Sequence, residues 1–296
     1  MQNTTARPTS NSRNILTRVI LATALIAFGL LVFALTAFHI VPLNIIEDKL
    51  KAGLGEKGLQ LAQESITRSF PFGLKAQNAA LIDSSTGKPV LRFDEAQGWL
   101  GLSSLFKGDF KIALRARVGN GLITGDLRPG FKGALLNLEA KSMEFKDIPA
   151  LANAGIDSSG SFNGTVTLYV AGGACPSGTI RLRGGHISEE GIRFTGLKLP
   201  VGEIDDAGLN AEIKDCKALI EGLWLDGREL SLKLTGEVFI KTPFETSPLN
   251  MTLEVTPKGD LTDKAWMLAF MNAFRISSNY YSVKIGGTVG RPVAER

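Results

Sequence analysis

The stretch ELSLKLTGEVFI, residues 229–240, decides the fold. Leu232, Leu234, Val238 and Ile240 share one parity, and Ser231, Lys233, Thr235 and Glu237 share the other. Successive side chains of a strand leave opposite faces, so this pattern predicts a strand with one apolar and one polar side. The alternation recurs outward. In GTVTLYV, Val166, Leu168 and Val170 alternate with Thr165, Thr167 and Tyr169, and in GTIRLRGG, Ile180 and Leu182 alternate with Arg181 and Arg183. DFKIALRARV sets Phe110, Ile112, Leu114, Ala116 and Val118 against Lys111, Arg115 and Arg117, and LNMTLEV continues with Met251, Leu253 and Val255. Turn residues separate the runs at Gly119–Gly121, Arg128–Gly130, Gly172-Gly173, Gly184-Gly185 and Asp226-Gly227.

The expected class is therefore mainly β, a curled, mostly antiparallel, Gly-rich sheet. No long helical pattern lies between the strands to cover its apolar face. Such a sheet must fold over itself, close, or cover that face with something else. Val166, Leu168, Ile180, Leu182, Leu232, Leu234, Val238 and Ile240 are the candidate lining of an apolar trough. In GLKLPVGEIDDAGLNAEIKDC, residues 196–216, Pro200 is expected at a strand end or edge, where no ladder N–H is required. Gly202, Asp205 and Asp206 are then assigned to the turn that follows. One late helix is expected from about Thr262 to Ile276. It is apolar nearly all round, so Trp266, Phe270 and Phe274 are candidates to dock on the open side or end of the sheet.

Toward the N-terminus, VILATALIAFGLLVFALTAFHIV (19–41) has no ionisable residue except His39. It is long enough to cross a hydrocarbon layer of about 30 Å. Arg7, Arg13 and Arg18 precede it, which places the N-terminus in the cytoplasm and the rest outside. The run exceeds the h-region of a cleaved signal peptide, and no small-x-small site ends it, so an uncleaved anchor is expected. The chain then divides into a cytoplasmic tail (1–18), a transmembrane anchor (19–41), a juxtamembrane helix and linker (42–72) and a β-rich domain (73–296). The juxtamembrane helix is expected to start at Asn44, capped with Glu47 in a capping box, and to end at Gly53 and Gly55.

Composition excludes several functions. A net charge of +4 over 296 residues is too weak to argue for nucleic acid. Two Cys cannot make a four-ligand zinc site alone, and with His39 in an apolar segment and His186 in a Gly-rich turn a His-centred metal site is not expected. GNGLITG (119–125) misses the dinucleotide spacing and leads into a strand, and neither a P-loop nor a nucleophile elbow occurs. Asp205-Asp206 and Glu189-Glu190 are adjacent pairs, which a strand would send to opposite faces. No cofactor, metal or catalytic residue is expected, and the chain is read as non-enzymatic. Arg115, Arg117, Arg181 and Arg183 form either a solvated face or a contact with anionic lipid head groups or an acidic partner. Cys175 and Cys216 are either bridged or two buried thiols, and an even count in an oxidising compartment favours the bridge.

The order of an uncleaved anchor, a Gly-rich antiparallel region, GLKLPVGEI (196–204), DCKALIEGLWLDGRELSLKLTGEVFI (215–240) and a terminal IGGTVGRP (285–292) resembles the type II secretion system protein N (GspN) family. That family is similar in turn to the AsmA/TamB-like periplasmic proteins. The resemblance implies a bacterial inner-membrane protein with a periplasmic domain, acting through contacts with secretion-system proteins. The AsmA-like relatives imply an alternative, a lipid-binding or lipid-transfer module whose apolar trough holds the acyl chains of phospholipid.

Overall fold

The computed structural model describes residues 29, 32–33, 36, 38–55, 58–101, 110–153, 159–171, 175–185, 187, 193–194, 197–198, 203–241, 246–259 and 272–295. Helix α1 (Leu43–Gly55) leads into β1 (Leu59–Ala62), β2 (Ser65–Ser69), β3 (Gly73–Asp83), β4 (Pro89–Leu100), β5 (Ile112–Val118), β6 (Gly121–Gly130) and β7 (Gly133–Glu144). A 3-10 turn (Phe145–Asp147) and the short α2 (Pro149–Asn153) precede β8 (Ser161–Ala171) and β9 (Ser177–Gly185). A small hairpin, β10 (Arg193–Phe194) and β11 (Leu197–Lys198), stands apart from the main sheet. The meander resumes with β12 (Ile204–Lys214), β13 (Lys217–Gly227), β14 (Leu230–Phe239) and β15 (Leu249–Pro257), and ends with β16 (Arg275–Ser277), β17 (Tyr280–Thr288) and β18 (Arg291–Glu295).

All main-sheet strands join one antiparallel sheet of 16 strands that does not close on itself. Each long strand pairs with its sequence neighbour. At the two edges the outer position is shared, by β1 and β2 along β3 and by β16 and β18 along β17. The turns alternate between two rims. One rim carries Phe70–Phe72, the β4–β5 connection, Phe131-Lys132 and the turn at Asp215-Cys216, and is called the Cys rim below. The other carries the Gly119-Asn120 turn, the 145–160 and 186–203 connections and Arg228-Glu229, and is called the core rim.

The buried core is small and sits at the core rim. Ile187, Ile204, Ala207, Leu230, Val255 and Tyr281 pack together, with Phe145, Leu225, Leu232 and Leu253 against them. A single layer cannot bury its own face, and the cover seen here comes from Phe145 and Ile187, which lie outside the long strands and pack on this cluster. Bulges bend it. Register shifts occur in β7 between Ala140 and Met143 and in β13 between Ile220 and Leu223. At the first, Ser142 takes φ 51° and its N–H donates to Asn163 Oδ1 at 2.9 Å.

One glycine shows how tightly the sheet is drawn. Gly236 has φ +136°, and a Cβ there would lie 2.3 Å from the Asn250 carbonyl oxygen. Gly236→Ala should cost about 2–4 kcal/mol, combining overpacking with backbone strain. Gly222, whose added Cβ would meet nothing nearer than 3.7 Å, should tolerate Ala with a loss below about 1 kcal/mol. Urea midpoints of the two variants check the contrast.

Several expectations are corrected. The sheet begins at Leu59, inside the stretch read as helix and linker, because β1 and β2 pair with β3. Helix α1 starts at Leu43, and Asn44 Oδ1 accepts from the adjacent Ile45 N–H at 3.0 Å, so Asn44 lies inside the first turn and does not form the capping box. Glu47 pairs with Lys51 at 2.6 Å, one turn on. The hairpin turns expected at Arg128–Gly130 and Asp226-Gly227 fall immediately after those residues, at Phe131-Lys132 and Arg228-Glu229. Pro129 is tolerated in β6 because that strand overhangs β5, whose pairing stops at Ile112↔Leu127. Asp205 and Asp206 lie in β12, with Asp205 at a register shift. Pro200 and Gly202 lie outside the described residues.

The expected membrane span, residues 19–41, also lies for the most part outside the described residues, and among those no helix is long and apolar enough to cross a membrane. Of the expected late helix, Trp266 and Phe270 lie outside them, while Phe274 is half-buried in a short 3-10 turn at 272–274.

Candidate apolar trough

The ladder register assembles one face of the sheet residue by residue. Opposed residues of antiparallel strands share a face, so each row of partners can be followed across the molecule. One row runs Leu74, Gly98, Leu114, Gly125, Leu138, Val166, Ile180, Ala211, Ile220, Gly236, Met251, Ile285, Ala294. None is polar. The row two residues toward the core rim, which includes Ala116, Leu182, Leu209, Leu223, Leu234 and Leu253, is equally apolar. So is the row toward the Cys rim, with Ile112, Leu136, Leu168, Ile213 and Val238.

A strand spacing of 4.8 Å over the twelve intervals of the first row gives a length of about 58 Å. These three rows, two residues apart, give a width of about 14 Å. Most of these side chains are only half-buried, and Leu223 is exposed. The face is therefore apolar, and among the described residues no other element covers it over much of its length.

Of the residues read from sequence as trough lining, Val166 and Ile180 lie in the first row, Leu182 and Leu234 in the second, and Leu168 and Val238 in the third. Leu232 lies in a fourth row, opposite Leu225 and Val255, and helps cover the core. Ile240 stands just past the end of β14, and its N–H donates to the Cys216 carbonyl at 2.8 Å. The alternation identified individual strands, but the Ala- and Gly-rich parts of the rows carry too little hydrophobic signal to stand out. Only the register reveals them.

The opposite face is polar. Lys75, Gln97, Arg115, Thr124, Glu139, Thr165, Arg181 and Asn210 follow one another in register there. Arg183 donates to Asp206 at 3.1 Å, and Trp224 Nε1–H donates to the other Asp206 oxygen at 3.0 Å. The Trp224 hydrogen bond first, and then Arg183, hold the Asp206 carboxyl below its ordinary range. Lys258 does the same for Asp226, and Lys75 for Glu95. Because these folded-state values are depressed, their stabilisation is present above the unfolded carboxylate values of about 4 and is lost as pH falls through and below them. Thermal midpoints should be flat from neutrality to about pH 5 and fall below about pH 4. Trp224→Phe should flatten that acid limb.

Cys175 and Cys216 are bridged, with Cα atoms 5.1 Å apart, and link the β8–β9 connection to the β12–β13 turn across β9. Among the described residues no group of three or more His, Cys, Asp or Glu is placed to hold a metal ion.

No family model, curated protein or solved structure matches the chain.

Proposed function

We propose that the chain is a membrane-anchored acyl-chain carrier, an AsmA-like β-trough working on the periplasmic side of a bacterial inner membrane. What supports this reading is the uncharged, half-open face that continues from Leu74 to Ala294. Water is a poor occupant of such a face and hydrocarbon a good one, since each buried CH₂ contributes about 0.8 kcal/mol. The face is also long. One leaflet of a bilayer is about 15 Å of hydrocarbon, so several chains could lie end to end along it. That favours conduction of lipid over storage of a single molecule.

To test it, the full-length protein is placed in vesicles of phosphatidylcholine bearing a diazirine at one acyl terminus, irradiated and digested. Adducts are expected on peptides of β7, β8 and β14. Labelling confined to the anchor and its flanks would overturn the reading.

The resemblance to the GspN family supports a second reading, a non-enzymatic component of a type II secretion apparatus that binds its protein partners. One observation favours it. Every residue of β18 is exposed, and among the described residues its outer edge carries no strand. Free strand edges accept a partner's strand. A photo-crosslinker at Val293 should capture a secretion-system protein in cells, and absence of any such adduct would remove this reading.

A further inference from the structure

Exposed large apolar residues of the later strands, such as Leu223, Ile276 and Val293, stand apart from one another. In the anchor-proximal half of the sheet such residues collect along the Cys rim. Phe70 is 80% exposed in the β2–β3 turn, Phe110 48% before β5, and Phe131 113% at the β6–β7 tip. Trp99 and Tyr169 lie at the same rim near the ends of β4 and β8. The buried core lies at the other rim. A rim of hairpin tips exposing aromatic rings has no use in water, and aromatic residues concentrate at membrane interfaces.

A second, independent observation says where the membrane is. The last residues of the expected span dock at this rim. The Arg68 guanidinium donates to the carbonyl oxygens of His39 and Val41 and lies over the Phe38 ring at 5.9 Å. Phe38 in turn meets Phe72, edge to face, with centroids 5.6 Å apart. The chain therefore reaches the sheet beside Phe70 and not at the core rim.

Charge agrees. Among the described residues from Trp99 to Lys132 on this rim stand Lys111, Arg128 and Lys132 against one carboxylate, Asp126, which Lys111 and Arg128 both pair with. Lys132 is exposed beside Phe131. An excess of cations next to inserted aromatics suits anionic headgroups.

We infer that the anchor-proximal half of the Cys rim lies on the bilayer that holds the anchor, with Phe70, Phe110 and Phe131 at the headgroup–acyl boundary. The contact extends about 24 Å, from β3 to β8. The strands then point away from the membrane, and the open side of the trough meets the bilayer along this rim. The inference rests on residues 19–41 being a membrane anchor, but not on the trough holding lipid.

The test places single tryptophans by Phe70→Trp, Phe131→Trp and Ile276→Trp in full-length protein whose native tryptophans are replaced by Phe. Ile276, 68% exposed, lies at the opposite rim and is the control. Vesicles of phosphatidylcholine and phosphatidylglycerol carry bromines at shallow acyl positions. Quenching at 70 and at 131 should both exceed that at 276 by roughly threefold or more, as interfacial rings require. Quenching at 70 alone would mean that the sheet stands upright on its first strands, and would overturn the inference. Equal quenching at 131 and 276 would do so too, and would send Phe131 to a protein partner. If loss of Trp224, whose Nε1–H donates to Asp206, costs the fold, the same three substitutions are read as difference spectra in the parent chain.

Discussion

Val255→Asp should leave no folded sheet, whereas Leu234→Asp should leave the sheet folded and empty of lipid. The two residues sit on adjacent strands and on the same face. Val255 pairs with Leu232 on β14, and Leu234 pairs with Leu253 on β15. What separates them is cover. Val255 is 2% exposed and packs in the cluster with Ile204 and Tyr281. A carboxylate there is buried without a partner, which costs about 3–5 kcal/mol, and the lost valine removes about 1.5–3 more. That sum is comparable to the whole stability of an ordinary domain.

Leu234 lies one row further from the core, beside Leu223, which is exposed. An aspartate there can reach water across the open face, so its cost is the lost apolar contact of a half-buried side chain. A hydrocarbon chain crossing that position would then have to pass an ionised group, and lipid occupancy should fall at least about tenfold, the effect of 1.4 kcal/mol. Circular dichroism and native mass spectrometry of the lipid-bearing protein read the two outcomes. If Leu234→Asp unfolds as completely as Val255→Asp, the face is a dry core and the acyl-chain reading falls.

The contrast also marks what the sequence could and could not announce. Alternation in 229–240 and 164–170 was legible because Leu and Val stand against Thr, Lys and Glu with little interruption. KAQNAALID in β3 and LRFDEAQGWL in β4 alternate poorly. Ala and Gly supply their trough-side positions, and Asn78 takes φ 47° in mid-strand. Their place is fixed by pairing with stronger neighbours, which is long-range information. Turn residues misled for a related reason. Gly130 closes the last pair of the β6–β7 hairpin and Gly227 pairs with Ile204 of β12, so neither stands in the turn that follows it. The Asp205-Asp206 pair looked like a turn on composition, but Asp206 is held in β12 by Arg183 from β9 and Trp224 from β13, partners that no local pattern announces. The core lay furthest from sight. It is assembled from Ile187, Ile204, Leu230, Val255 and Tyr281, spread over almost a hundred residues, and only the meander brings them to one rim.

Removing the Cys175–Cys216 bridge should lower the thermal midpoint by about 8–16 °C. The bridge spans 41 residues of chain, and the loop-closure entropy of a segment that long corresponds to about 4 kcal/mol. In a protein of this size each kcal/mol is about 2–4 °C. The loss should exceed a pure loop effect at one end of the bridge. Asp215 and Cys216 form the two-residue turn between β12 and β13 with φ 51° and 60°, a conformation that Asn-Gly normally fills. Neither residue relieves the steric cost of the left-handed region as Gly does, which is about 1–2 kcal/mol per position. While the bridge stands it holds this turn closed, and Cys216 also accepts the Ile240 N–H that ties down the end of β14. Once the bridge is gone, nothing covalent opposes fraying of β12, β13 and β14 at the Cys rim. Two double variants separate the contributions. Cys175→Ser with Cys216→Ser should show the full loss. Cys175→Ser with Cys216→Gly should recover about 1 kcal/mol, because glycine adopts the turn without strain. A fall of less than about 2 °C in the first variant would mean that the meander alone holds the rim. An equal midpoint in the two would locate the whole effect in chain entropy and none in the turn.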